Sequence, residues 1–231
     1  MSHAARVLTP TAAAGLAALL VGLGFGRFAY TAQVPGLIGE GWIDPSGTGP
    51  LAAANFAGYL IGALAGAPLA RRFGTARVLR FTMIATAASL IAGMAPLGLV
   101  WLALARLGAG VGGAVLMVVA PTAVLRLADP LRRGATAGVV FTGIGLGIAA
   151  SGTLIPILAG AGVAATWGVL GGLAAILAIV HVAALARRAG GTADAARARS
   201  AGRLPAVRAR LLHRRRRLRA AHRLLGRFHR A

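Results

Sequence analysis

Six apolar stretches, each long enough to cross a lipid bilayer, constrain this chain more than any other feature of its sequence. An α-helix needs about 20 apolar residues to cross about 30 Å of hydrocarbon. Because 58% of the residues are hydrophobic and only 13% are charged, a water-soluble fold would lack the polar residues to cover its surface. The sequence therefore predicts an all-α membrane protein with transmembrane helices at residues 11–35, 50–70, 79–97, 99–125, 134–158 and 163–186.

Charge divides the chain into two regions. Of its 25 basic residues, all arginine, ten precede residue 187 and the remaining 25 − 10 = 15 follow from there on. The apolar stretches end at the same point. We therefore predict an amino-terminal cytoplasmic segment at residues 1–10, a six-helix transmembrane domain at 11–186 and an arginine-rich tail at 187–231.

The short loops between the predicted helices alternate in charge. Arginines lie between the second and third helices, between the fourth and fifth, and after the sixth. The intervening loops contain Glu40 and Asp44 but no arginine. Arginine and lysine are enriched in cytoplasmic loops, so the pattern predicts a multi-pass protein with both termini in the cytoplasm.

Two arginines lie inside predicted spans, where a charge is costly and usually faces a cavity or a partner. Counting 1.5 Å per residue places Arg27 and Arg106 in the same outer half of the bilayer. None of the six spans contains Asp or Glu, so backbone carbonyls, hydroxyls or an anionic ligand must supply their partners. The alternative is that Arg27 extends to the headgroups and Arg106 ties helix ends together.

Three polar residues are expected near the level of these arginines. Tyr30 shares a helix face with Arg27, while Asn55 and Tyr59 lie one turn apart on the second helix. We predict that the five residues line one substrate-binding cavity, and that the substrate is a small anionic solute such as a carboxylate.

Glycine is frequent inside the predicted helices, where small residues let membrane helices approach closely. Pairs spaced G-x-x-x-G occur on the fourth helix at Gly108/Gly112 and on the fifth at Gly143/Gly147. Glycines 110, 113, 145 and 152 lie on the same two helices. The spacing favours helix packing over a dedicated hinge or cavity.

Enzymatic and cofactor functions have little support in the sequence. The chain has no cysteine and its five histidines are scattered, so no metal or cofactor site is predicted. Ser151 and His181 suggest a rhomboid-like intramembrane serine protease as a remote alternative. The spans place these two residues toward opposite membrane faces, which favours Ser151 bonding its own helix and His181 lying in the interface.

The first two predicted helices resemble a known transporter group. Gly24-Phe25-Gly26-Arg27-Phe28-Ala29-Tyr30-Thr31 and Asn55-Phe56-Ala57-Gly58-Tyr59-Leu60-Ile61-Gly62 are similar to the amino-terminal signature of the YbfB/YjiJ group of the major facilitator superfamily. Arg106-x-x-x-Gly110-x-Gly112 is similar to the superfamily's fourth-helix motif, with Ala109 where glutamine is frequent. In the loop after the second helix, Arg71 replaces the usual aspartate.

The resemblance covers residues 12 to 186, which implies the amino-terminal half of a major facilitator-type bundle. It implies a secondary transporter in a bacterial cytoplasmic (inner) membrane, with the solute held between two six-helix halves. A partner surface is then expected, either a second six-helix half or a second copy. A structural or self-pairing small membrane protein without transport is the alternative.

The tail has several interpretations. Its Arg, Ala, Leu, Gly and His composition is typical of a GC-rich coding sequence translated in a shifted frame. We therefore hypothesise that a frameshift replaced the second six-helix half with this tail. A genuine tail would instead bind anionic lipid headgroups. Nucleic acid is not predicted as a partner, because Phe228 is the tail's one aromatic residue.

Overall fold

A computed structural model describes residues 9–181 and contains only helices and turns within that range. The predicted tail and most of the predicted amino-terminal segment lie outside the described residues. Six helices are long and apolar enough to cross a membrane, which confirms the predicted all-α membrane bundle. They are α1 (Pro10–Gly39), α2 (Thr48–Phe73), α3 (Thr75–Ala92), α4 (Leu99–Leu127), α5 (Arg133–Leu158) and α6 (Val163–His181).

The interior of the bundle is built mainly on α1 and α4. Their most apolar windows are 61% and 56% buried, whereas those of α2 and α5 are 28% and 17% buried. Helix α4 packs against α1, α2 and α3, and α1 packs against α5. Large apolar side chains on α2, including Phe56, Leu60 and Leu64, therefore remain exposed.

Glycines set the close crossing of α2 and α4. A Cβ atom added to Gly58 would overlap the carbonyl of Leu107, and one added to Gly62 would overlap that of Val111. These obstacles are backbone atoms, which cannot rotate away. Small residues allow such backbone contacts between membrane helices.

The predicted packing role is confirmed for both G-x-x-x-G pairs. A Cβ on Gly108 or Gly112 would meet side chains of α3, and one on Gly143 or Gly147 would meet the backbone of α1. Gly145 differs, because no atom lies within 4 Å of its added Cβ, and the same holds for Gly152.

Helix α1 contains a π-helical segment, Leu20–Phe28, that the sequence analysis did not predict. Every second residue from Gly22 to Gly26 is glycine, and each meets a different neighbour. Gly22 packs on α4, Gly24 packs on Gly147 of α5, and Gly26 lies against both α3 and α4. The three glycines thus let the backbone of α1 pack closely against three surrounding helices.

Helix α3 is displaced from its predicted position at residues 79–97. It begins at Thr75 and ends at Ala92. Gly74 has a φ of 85° and separates α3 from α2, so the helix can begin directly after it. The early end has a local cause, because Pro96 disfavours helical backbone at the residue before it.

Side-chain hydrogen bonds join neighbouring loops and helix ends at one end of the bundle. The backbone N–H of Val163 donates to Glu40 Oε1 at 2.7 Å, so a carboxylate after α1 caps the start of α6. An acidic group at a helix N-terminus is electrostatically favourable. The indole N–H of Trp101 donates to the carbonyl of Ala92 at 2.8 Å across the α3–α4 turn.

Candidate functional site

A buried arginine connects α4 to the π-helical part of α1. Arg106 is 5% exposed, and its Nη2 donates to the carbonyl of Gly26 at 3.0 Å and that of Arg27 at 3.4 Å. Backbone carbonyls are thus the partners of this charge, which is one of the options that the sequence left open.

Asn55 adds α2 to the same junction. Its Nδ2 donates to the carbonyl of Arg106 at 2.8 Å and to that of Gly26 at 3.4 Å. The carbonyl of Gly26 therefore accepts from side chains of two other helices. One carbonyl in the π-helical segment is the meeting point of α1, α2 and α4.

Tyr30 completes this group, which we call the inner cluster: Arg106, Asn55 and Tyr30. The Cζ of Arg106 lies 4.9 Å from the centroid of the Tyr30 ring, within the range of a cation–π interaction. The hydroxyl of Tyr30 donates to the carbonyl of Thr48 at 2.9 Å, at the start of α2. The ring and the hydroxyl of Tyr30 therefore each contact another helix.

A small cavity lies beside the inner cluster. Its volume is about 10 Å³, and its lining includes Arg106, Tyr30, Ser89, Leu102 and Trp167. The Trp167 ring comes from α6, and its centroid is 5.7 Å from the Cζ of Arg106. The sequence analysis did not predict Trp167, because nothing in the sequence indicates that α6 approaches Arg106.

Arg27 points to a different environment. Its Cζ lies 4.6 Å from the ring centroid of Phe56 and 4.6 Å from that of Tyr59, both on α2. Arg27 and Tyr59 are half-buried, whereas Phe56 is 58% exposed. We call Arg27, Phe56 and Tyr59 the outer cluster, because it lies at the bundle surface.

The structure therefore divides the five predicted site residues between two clusters. Arg106 and Tyr30 line the 10 Å³ cavity, but Arg27, Asn55 and Tyr59 are absent from its lining. Arg27 still contributes its carbonyl to the inner cluster while its side chain belongs to the outer one. The sequence analysis missed Phe56, although its position one turn before Tyr59 on α2 was available.

The residues of the remote protease alternative have other partners. The hydroxyl of Ser151 donates to the carbonyls of Gly147 and Ile148 on its own helix, at 2.9 and 3.1 Å, as the structural interpretation predicted. His181, the last residue of α6, is 4% exposed, so its side chain is packed within the bundle. Its position in the membrane interface stays a prediction.

Six helices that are long and apolar enough to cross a membrane define an integral membrane protein. The chain belongs to the family described as "Uncharacterised MFS-type transporter YbfB", whose model matches residues 19–213. The resemblance seen in the sequence is thereby confirmed. No curated protein matches the chain.

The family match extends beyond the boundary predicted at residue 187. It ends at residue 213, which is 213 − 187 = 26 positions further along the chain. The family match therefore includes the first part of the predicted arginine-rich tail, and the frameshift hypothesis stays a prediction.

Proposed function

We propose that this chain forms one six-helix half of a secondary transporter and that the outer cluster binds a small anionic solute, with carboxylates as the first class to test. The observation that carries the proposal is the position of the Arg27 side chain. It is a half-buried cation in a membrane span, at the bundle surface, with two aromatic rings as its neighbours.

The surroundings of Arg27 favour an anion as its ligand. The three acidic residues within the described part of the chain, Glu40, Asp44 and Asp129, lie outside the six helices or at their ends. The aromatic faces hold the guanidinium in place, but they attract it less strongly than an anion would. A solute carboxylate would supply the planar, bidentate acceptor that arginine binds best.

The inner cluster has a supporting role in this proposal. Arg106, Asn55 and Tyr30 are engaged with backbone carbonyls, so they hold α1 against α2 and α4. Because Arg106 also binds the carbonyl of Arg27, it fixes the backbone from which the solute-binding side chain extends. These three residues therefore position Arg27 and do not contact the solute.

A solute at the bundle surface requires a facing wall. The most apolar windows of α2 and α5 are only 28% and 17% buried, and Phe56 of the outer cluster is on α2. A second six-helix half or a second copy of this chain covering α2 would enclose Arg27. The family resemblance favours a bacterial cytoplasmic membrane as the location, and the arginine-bearing loops favour an orientation with both termini inside.

Transport in reconstituted vesicles tests this proposal. The chain is reconstituted alone and together with the carboxyl-terminal half of a longer family member, and uptake of labelled monocarboxylates is compared with uptake of their uncharged amides. We expect carboxylate uptake, and Arg27→Gln should lower it at least about tenfold because removing a charged hydrogen-bond partner costs about 1.5–3 kcal/mol. Arg27→Lys should retain part of it.

The matched control is Arg132→Gln, which removes an arginine from the turn before α5 and should leave uptake unchanged. Equal uptake by wild type and Arg27→Gln would contradict the binding role. Absence of carboxylate uptake in both reconstitutions would contradict the assigned solute class. Uptake by the chain alone would identify a second copy as the facing wall.

A further inference from the structure

Two buried N–H groups beside the inner cluster have no hydrogen-bond partner in the described part of the chain. They are Nε of Arg106 and Nε1 of Trp167, and both residues line the same 10 Å³ cavity. Arg106 is 5% exposed and Trp167 is 3% exposed, so bulk water does not reach them. Buried donors of this kind are normally satisfied, since leaving them unpaired is costly.

The positive charge of Arg106 is a second reason to expect a ligand in this cavity. Its two hydrogen bonds go to the carbonyls of Gly26 and Arg27, which are dipoles and leave the net charge in place. No acidic side chain of the described residues forms an ion pair with it, because Glu40, Asp44 and Asp129 lie outside the helices or at their ends. A buried charge without a counter-charge is strongly disfavoured.

The size of the cavity limits what can meet this demand. A volume of about 10 Å³ is at the lower limit for one water molecule. A carboxylate or phosphate would not fit. A monatomic halide is larger than a water molecule but smaller than either of these groups, so it is the anion class closest to the cavity in size.

The polar groups around the cavity are chiefly donors. Besides Arg106 and Trp167, the lining contains the hydroxyl-bearing residue Ser89, while the Tyr30 hydroxyl is already used on the carbonyl of Thr48. Leu37, Leu51 and Leu102 form apolar walls. Two unpaired buried donors, a positive charge and apolar walls in one cavity favour an anion over a neutral molecule.

We propose that this cavity is a binding site for one halide-class anion, chloride under ordinary ionic conditions. The anion accepts from Arg106 Nε and Trp167 Nε1 and balances the arginine charge. It thereby joins α6 to the junction of α1, α2 and α4. The site is separate from the outer cluster, so it does not rest on the solute proposed for Arg27.

Replacement of the salt tests the proposal on the unmodified protein. The thermal unfolding midpoint of the purified chain in detergent is measured in sodium chloride and in sodium isethionate at equal ionic strength. Chloride should raise the midpoint by about 2–4 °C and the rise should saturate with concentration, as expected for a ligand that binds only the folded state. Isethionate is too large for the cavity and is not a carboxylate, the solute class proposed for Arg27.

Tryptophan fluorescence provides a second measurement that locates the anion. Bromide quenches indole fluorescence on contact, and the chain has three tryptophans, at positions 42, 101 and 167. Saturable quenching is expected in wild type and in Trp101→Phe, the matched control. Trp167→Phe should lose the saturable component and the chloride-dependent rise in midpoint.

Equal midpoints in chloride and isethionate, together with quenching that increases linearly with bromide, would overturn the proposal. Saturable quenching that survives Trp167→Phe would also overturn it, because the anion would then bind elsewhere. Since the salt comparison needs no variant, a Trp167→Phe protein that fails to fold leaves the proposal testable.

Discussion

The inner and outer clusters show two ways in which one membrane bundle accommodates an arginine. Arg106 is enclosed and donates to backbone carbonyls of another helix. Arg27 is half-buried and lies between two aromatic rings. The same side chain is thus part of the scaffold in one place and available to a ligand in the other.

The difference arises because backbone carbonyls surround the Arg106 guanidinium, whereas aromatic rings surround that of Arg27. The π-helical segment offers the carbonyl of Gly26 to Arg106 and Asn55, which fixes three helices relative to one another. The rings of Phe56 and Tyr59 orient Arg27 without using its N–H donors. Residues that bind backbone stabilise the bundle, whereas a residue held by ring faces keeps its donors free for a solute.

Helix α2 carries residues of both clusters, so separating it from α4 should disrupt both at once. Gly58→Ala places a Cβ against the carbonyl of Leu107, and overpacking of this kind costs about 1–3 kcal/mol. We expect the largest loss of folded protein here, measured as monodisperse yield by size-exclusion chromatography. Gly145→Ala, with no atom within 4 Å of its added Cβ, is the control and should retain its yield. Equal yields would mean that α2 and α4 can separate without harm.

Neutralising each arginine in turn should separate stability from ligand binding. Arg106→Gln removes charged hydrogen bonds to two carbonyls and should lower stability by about 1.5–3 kcal/mol. Arg27→Gln removes only ring contacts, which are worth about 0.5–1 kcal/mol at exposed sites. Thermal unfolding in detergent compares the two variants. A larger loss for Arg27→Gln would reverse the assigned roles.

Smaller effects than that of Arg106→Gln are expected from the two tyrosines. Tyr30→Phe loses the hydrogen bond to the carbonyl of Thr48, a cost of about 0.5–1.5 kcal/mol. Tyr59→Phe keeps the ring beside Arg27 and removes a hydroxyl for which the structure shows no hydrogen bond. Unfolding midpoints should therefore decrease for Tyr30→Phe and stay near wild type for Tyr59→Phe. Equal midpoints would show that the Thr48 contact adds no stability.

Most of the fold could be predicted because hydropathy and length are sufficient to identify membrane helices. The shared level of Arg27 and Arg106 followed from counting residues along two antiparallel helices, and a direct bond from Arg106 to the carbonyl of Arg27 confirms it. The position of α3 was less accurate, since hydropathy alone does not include the early stop before Pro96.

The division of the site into two clusters could not be predicted in the same way. Side-chain directions were counted on a regular α-helix, but Leu20–Phe28 is π-helical, which alters the direction in which Arg27 points. Trp167 approaches Arg106 through packing between distant helices, which periodicity does not encode. Phe56 was predictable in principle, because its spacing from Tyr59 places both rings on one side of α2.

The π-helical segment also sets the rotational phase of everything that follows it on α1. Each residue advances an α-helix by about 100°, so converting the segment to regular turns would rotate Tyr30 and the rest of the helix relative to its neighbours. If one residue between Leu20 and Phe28 were deleted, the rest of α1 would keep its sequence, but its side chains would face different neighbouring helices. The number of residues in that segment therefore determines the packing of α1 as much as their identity does.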